Sequence, residues 1–308
     1  MFYQENKLIF SPSDLTKFIE SEFITWMDRY NIEHPAEVQP DEDDETMKLL
    51  QRKGIKHEEE FFDELVKAGL DIVDVKNEDK EKHFKATTEA MKEGREIIFQ
   101  GALKDERFIG FADFLFKVPG DSELGDYHYE PWDTKLALKA KPYFLVQLAC
   151  YADMLQRIQG VLPRKVHVVL GDKKKESFRT EDFLYYYRNL RKSLINQQEN
   201  WSKDCPPDFT GAEEFGRWTS HAEKLIEEWD HLCQVANIKS TQINKLSNAG
   251  IDTMTALART ELTSIPKLQM KTFATLKKQA HLQMQSKGLE KPLYELVENV
   301  EEAKGLSR

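Results

Sequence analysis

Asp133 and Lys135, in Trp132-Asp133-Thr134-Lys135-Leu136, stand two residues apart in a strand-forming run, so a period of two puts an acid and an ammonium on one face of that strand. A second acid, Asp113, interrupts the otherwise apolar Gly110-Phe111-Ala112-Asp113-Phe114-Leu115. Carboxylates are hard oxygen ligands suited to a divalent ion, and an ammonium beside them can orient an attacking water or offset negative charge developing on a substrate. These are the parts for metal-assisted hydrolysis of a phosphodiester, with the Thr134 carbonyl available as a further oxygen ligand. An ordinary cross-strand ion pair would use the same Asp133 and Lys135, so the tripeptide alone decides nothing.

Two helical features add to the set. His57 falls four residues before Phe61 and eight before Leu65, on the apolar face of a helix expected over Gly54 to Leu70. An inward neutral imidazole there is either a metal ligand or a hydrogen-bonded core residue. Gln147 and Tyr151, at i and i+4, present an amide and a phenol just after the Asp/Lys strand. That pair suits support of a metal site or contact with a phosphate, or else faces water.

The elements that must position these residues can be read from periodicity. Ser11-Pro12-Ser13-Asp14 caps an amphipathic helix through Leu15, Phe18, Ile19 and Phe23, followed by an acidic loop punctuated by Pro35 and Pro40. Ile97 to Leu103, Phe108 to Val118 and Tyr127 to Ala137 read as three consecutive strands of an antiparallel meander. Pro142 opens a helix to about Ile158, Lys165 to Leu170 is a further strand, and Thr180 to Asn200 is an aromatic helix containing Tyr185, Tyr186 and Tyr187. The expected fold class is therefore α/β (α+β), a mixed central sheet flanked by helices. A small all-α domain follows, in which short apolar segments break at Asn248-Ala249-Gly250-Ile251 and at Pro266. The domains are placed at 1–225 and 226–286, with 287–308 a charged linker or tail.

The succession Gly54…His57-Glu58, Gly110-Phe111-Ala112-Asp113, Asp133-Thr134-Lys135 and Gln147-Leu148-Ala149-Cys150-Tyr151 resembles the motifs of the RecB-like nucleases of the PD-(D/E)XK superfamily, in order and in spacing. Ile97 to Leu103 is similar to that family's first strand. The resemblance implies a restriction-endonuclease-like core in which His57, Asp113 and Asp133, with Thr134, hold Mg²⁺ or Mn²⁺. Lys135 then becomes the catalytic lysine, and Glu58, Gln147 and Tyr151 become supporting or substrate-binding residues. Residues 230–280 more weakly resemble a helix-hairpin-helix region, in which Gly250 and Ile251 would form a DNA-binding turn whose backbone approaches a phosphate. Ile265-Pro266-Lys267 resembles a second, degenerate hairpin that lacks the glycine.

The same resemblance implies a metal-dependent nuclease acting on DNA, single-stranded or with free ends, in repair or recombination. In such relatives the hairpins run into a ribonuclease H-like nuclease domain or a helicase, so the resemblance implies either a fragment that works with such a domain or subunit or a shortened stand-alone version. Many relatives hold an iron–sulfur cluster, but Glu20-Ser21 and Gly216-Arg217-Trp218-Thr219-Ser220-His221 offer no cysteine at the matching places, so none is expected.

Composition sets the outer limits. A chain of 308 residues with 40% apolar content can bury a sizeable core. Cys150, Cys205 and Cys233 form neither a disulfide framework nor a CxxC site. No apolar run reaches membrane-spanning length and no signal-peptide layout opens the chain, which makes a cytoplasmic location the expectation. The net charge of −10 argues against indiscriminate coating of nucleic acid, yet Thr134 to Lys175 and Ile265 to Lys287 concentrate positive charge. Two other readings stay open: a non-catalytic nucleic-acid-binding module retaining the nuclease fold, and a protein-interaction scaffold using the three tyrosines and the terminal helices.

Overall fold

Strands form where branched and aromatic residues alternate, and helices pack across them wherever apolar residues recur every three or four positions. In the computed structural model, which describes residues 1–42, 45–77, 79–212 and 214–295, the chain begins with a small hairpin, β1 (Phe2–Gln4) and β2 (Lys7–Ile9). Helices α1 (Pro12–Glu20) and α2 (Glu22–Glu33) follow. The Ser11 backbone N–H donates to the Asp14 carboxylate at 2.8 Å, closing the first turn of α1, and the Ser21 hydroxyl accepts from Phe23 N–H to start α2.

Helix α3 (Glu45–Lys67) starts within the acidic stretch expected as loop and runs through Gly54, much earlier than the periodicity suggested. Strand β3 (Ile72–Asp74) and helix α4 (Lys80–Glu93) come next, then β4 (Ile97–Lys104), β5 (Ile109–Ser122) and β6 (Gly125–Thr134). Helix α5 (Pro142–Gln159), β7 (Lys165–Val169), β8 (Lys175–Arg179) and α6 (Glu181–Glu199) complete the core.

The six strands β3 to β8 lie side by side in chain order. The sheet is mixed: β3–β4 and β6–β7 pair in parallel, across crossovers that contain α4 and α5, and the other neighbours are antiparallel. Phe61 and Leu65 of α3 pack with Ile97, Phe114 and Val169 in one apolar cluster. Residues of α1, α4, α5 and α6 pack in another with Leu103, Leu115, Tyr129 and Val166. The structure is thus α/β, with a mixed sheet between helices, and none of the described helices is long and apolar enough to cross a membrane.

The chain divides into two units, one of residues 1–207 and 214–218, the other of residues 208–213 and 219–308. Residue 225 lies inside α7 (Thr219–Glu228), which belongs to the second unit. Asp28 explains why residues 214–218 return to the first unit. Its buried carboxylate accepts from the Arg217 guanidinium at 2.7 Å and from the Trp218 indole at 2.9 Å, and pairs with Lys17 at 2.7 Å. Burial opposes the Asp28 charge, but Lys17, Trp218 and Arg217 outweigh it and hold the carboxyl below its usual range. The segments without cysteine, around Ser21 and around Trp218, are thereby tied by an ion network beside packed Phe23, Trp26 and Phe215 rings.

The second unit is helical: after α7, the helices α8 (Ser240–Ser247), α9 (Met254–Arg259) and α10 (Met270–Ser286) pack around Leu246, Ile251, Leu257 and Phe273. Gly250 at φ 77° turns the chain after α8, and the buried Ile251 donates its N–H back to Leu246 O at 3.0 Å, a helix-ending turn that favours glycine. Lys267 adopts φ 61°, so the turn that lacks a glycine nonetheless takes the same left-handed backbone. Both turns line one cavity, formed by Lys245, Asn248, Ala249, Pro266 and Lys267. Of the tail at 287–308, residues 296–308 lie outside the described residues.

Candidate active site

The pairing of β5 with β6 runs from the hairpin to Phe114 opposite Trp132 and stops there. Beyond it β5 stays with β4, from Gly101–Ala112 to Lys104–Ile109, while β6 stays with β7 through Thr134–Val169. The sheet opens into a fork, and the next residue on each arm is an acid, Asp113 and Asp133. A parted ladder leaves backbone groups needing partners. The Asp113 carboxylate supplies one: a single oxygen, Oδ2, accepts from the Thr134 N–H at 2.8 Å and from the Thr134 hydroxyl at 2.9 Å. Thr134 therefore serves Asp113 through donors, in addition to the carbonyl considered from sequence.

Across the fork, the Lys135 ammonium lies 2.7 Å from Asp133 Oδ2, so the two-residue spacing does bring acid and lysine together. That oxygen is wholly buried and has no other donor. The same ammonium stands 5.6 Å from the centre of the Phe144 ring. Burial works against the ammonium, but the charges of Asp133 and Asp113 hold its pKa above the usual lysine value, so it stays protonated.

Glu58 is the α3 residue whose charge reaches this group. Burial, then the charges of Asp133 and Glu58, hold the Asp113 carboxyl well above the usual carboxylate range, against the pull of Lys135 and the Thr134 N–H. Burial raises Glu58 as well, and Asp133 adds to it, while a hydrogen bond from the Gln100 amide opposes the rise. Three carboxyl groups and one ammonium thus share the fork, and the rise of Asp113 and Glu58 reflects how the acids crowd one another there.

His57 is buried on the same helix face as Phe61 and Leu65, as its spacing predicts. Its Nε2 stands 3.4 Å from the carbonyl of Val169, which also accepts the Lys135 N–H at 2.9 Å. The imidazole thus backs the segment that carries Lys135. Among the described residues, no three His, Cys, Asp or Glu side chains are disposed as they stand to hold one ion.

Gln147 and Tyr151 are both turned toward the fork. The Tyr151 hydroxyl donates to Phe111 O at 2.8 Å, and the Gln147 amide lies 3.4 Å from that hydroxyl. Burial, then the negative charge of Asp133, raises the Tyr151 phenol far above its usual value, so it remains a donor. The pair pins β5 to α5 at the point where β5 leaves β6. Gly110 permits the approach: a Cβ there would stand 2.7 Å from Tyr151 Cε1 and 2.8 Å from Pro12 Cγ. The three-tyrosine run splits, with Tyr185 and Tyr186 exposed and Tyr187 buried in the core.

Sequence reasoning missed Gln100 altogether. It sits in β4 between residues paired with Ala112 and Phe114, and therefore across from Asp113, yet it holds φ 55°. A non-glycine residue in that region costs about 1–2 kcal/mol and concentrates at functional sites. A glutamine inside a strand-forming run carries no signal for such a backbone. No protein-family model matches the chain, and no curated protein is significantly similar to it.

Proposed function

We propose that this chain is a divalent-metal-dependent nuclease with a PD-(D/E)XK-type core of the RecB-like kind. The observation that carries the reading is the gathering of Asp113, Asp133 and Glu58 around one protonated lysine at the fork between β5 and β6. Like charges crowded in partial burial raise one another's pKa, and a shared cation is the cheapest way to neutralise them. Asp113 and Asp133 are the residues that would hold Mg²⁺ or Mn²⁺, and the Thr134 carbonyl and the His57 imidazole are further donors. His57 would have to turn from the Val169 carbonyl to join them. A bound ion would supply a water of lowered pKa and positive charge beside the scissile phosphate.

The protein's own groups have separate tasks. Thr134 fixes the Asp113 carboxylate through two donors on one oxygen, leaving the other free. Lys135, kept charged by its acid neighbours, is placed to stabilise negative charge on the phosphate or to orient water. Tyr151 and Gln147 hold the β5 arm in register.

Nucleic acid as substrate is supported by Lys48, Arg52 and Lys56, which lie at intervals of four on the exposed first half of α3 and lead directly into His57 and Glu58. Lys139, Lys141 and Lys173 to Lys175 are exposed as well, Lys173 and Lys174 in ion pairs with Glu64 and Glu176. The second unit, with Gly250 and Ile251 at one turn and Lys267 at the other, would add sequence-independent grip on DNA. Such an enzyme fits repair or recombination.

The test is incubation of end-labelled single-stranded and duplex DNA with Mg²⁺ or Mn²⁺. Cleavage should be abolished by EDTA and fall about 10²–10³-fold in Lys135→Ala, the usual effect of removing one group aimed at developing charge. DNA binding without cleavage, unchanged by divalent ions, would instead favour a non-catalytic binding module.

A further inference from the structure

Gln100 makes little sense as a strand residue. It stands mid-strand in a left-handed backbone, φ 55°, where glycine would sit without strain. The distortion is held from behind by α4. The imidazole Nε2 of His83, itself buried, lies 2.6 Å from the Gln100 carbonyl, which can only accept, so the ring nitrogen is the donor. The His83 ring stacks on Phe111 at 5.1 Å. One turn along α4, the Thr87 hydroxyl accepts the N–H of Ala102 at 2.9 Å. The helix therefore grips β4 at the irregularity and two residues beyond it, through backbone groups that an ordinary strand would have bonded to its neighbour.

The distortion has one evident product. It carries the Gln100 side-chain amide to α3, where Nε2 donates to Glu58 Oε1. Gln100 itself lies across from Asp113 in the β4–β5 register, and Asp113 belongs to the same charged group as Glu58. A neutral donor can hold a carboxylate close to two others without cancelling its charge, which a lysine or arginine at this position would do.

We propose that Gln100 is a positioning residue that acts through Glu58: its strained backbone, clamped by His83, holds the Glu58 carboxylate on the side of α3 that faces Asp113 and Asp133, ready to close with them on an ion. The proposal rests on the reading of that group as a divalent-ion site, and it gives Glu58 a part in holding the ion.

Gln100→Gly keeps the backbone conformation accessible while removing the amide, so loss of folding is not its expected outcome. Mn²⁺ affinity, measured by calorimetry on the full chain, should fall about tenfold, as when a partner orienting a metal ligand is removed. The same substitution in a Glu58→Gln background should have no further effect, because the amide acts only through Glu58. Equal losses in both backgrounds, or no loss in either, would overturn the proposal. A crystal structure of metal-free Gln100→Gly gives a readout independent of binding. Displacement of the Glu58 side chain from Asp113 supports the assignment, and an unmoved Glu58 overturns it. Failure of the wild-type chain to bind Mn²⁺ at all would count against the metal reading, while the position of Glu58 in that crystal would still decide the role of Gln100.

Discussion

Asp113→Asn should make the metal-free protein more stable while destroying its function. In the wild-type chain, burial and the charges of Asp133 and Glu58 raise the Asp113 carboxyl well above its ordinary value. The folded state therefore binds a proton that the unfolded state releases near pH 3.9, and stability falls as pH rises from there through the folded value. Each unit of that difference is worth about 1.4 kcal/mol. Asparagine abolishes the penalty and loses little structurally. Both Thr134 donors reach the same oxygen, at 2.8 and 2.9 Å, and an asparagine carbonyl can accept both while its amide turns toward the acids. We expect a gain in stability at pH 7, read as a rise in Tm of about 2–4 °C for each kcal/mol in a domain of this size. The assay is thermal unfolding in EDTA from pH 3.5 to 8, repeated with Mn²⁺. The advantage of the asparagine variant should close below about pH 4, where the wild-type acid is protonated in both states. Mn²⁺ should raise the Tm of the wild type and leave the variant unmoved. A variant less stable than wild type at pH 7, or a gap that ignores pH, would mean that Asp113 is a structural hydrogen-bond acceptor and not a frustrated acid.

Gly110→Ala places a methyl against Tyr151 and Pro12 and should cost about 1–3 kcal/mol, read by urea unfolding, with cleavage lost as the β5 arm shifts. Asp28→Ala should cost about 2–3 kcal/mol, below the range for a fully buried pair because Lys17 and Arg217 keep contact with water. The wild-type Asp28 contribution should disappear as pH falls through its lowered pKa, so the gap between the two proteins should narrow in acid. Lys267→Gly separates backbone from charge: relief of its left-handed φ should raise stability by about 1 kcal/mol, while the salt dependence of DNA binding should weaken by about one unit of slope.

Much of the scaffold was legible because burial writes periodicity into sequence. The β4–β5–β6 meander, α5 and β7 all showed as alternating or three-to-four patterns bounded by turn residues. Asp133 and Lys135 do meet, as their two-residue spacing suggested, although Lys135 lies just past the end of β6. By contrast the β1–β2 hairpin, β3, α4 and β8 escaped notice: the strands are short, and α4 is Lys-rich, with few apolar residues to set a period. The early start of α3 was hidden by acidic residues that look like loop, although acids suit a helix amino terminus. At the site, the donors of Thr134 and the backbone of Gln100 could not be inferred, since both depend on where β5 and β6 part. That fork is a tertiary event with no local signature.

The clasp between Asp28 and the Arg217–Trp218 segment bears on how the chain can be dissected. The first unit reclaims residues 214–218 after the second has already begun at 208. No single scission therefore separates them cleanly. A truncation after residue 207 discards the guanidinium and indole that cover the Asp28 carboxylate, and an excised first unit that is to be handled alone should extend through Trp218.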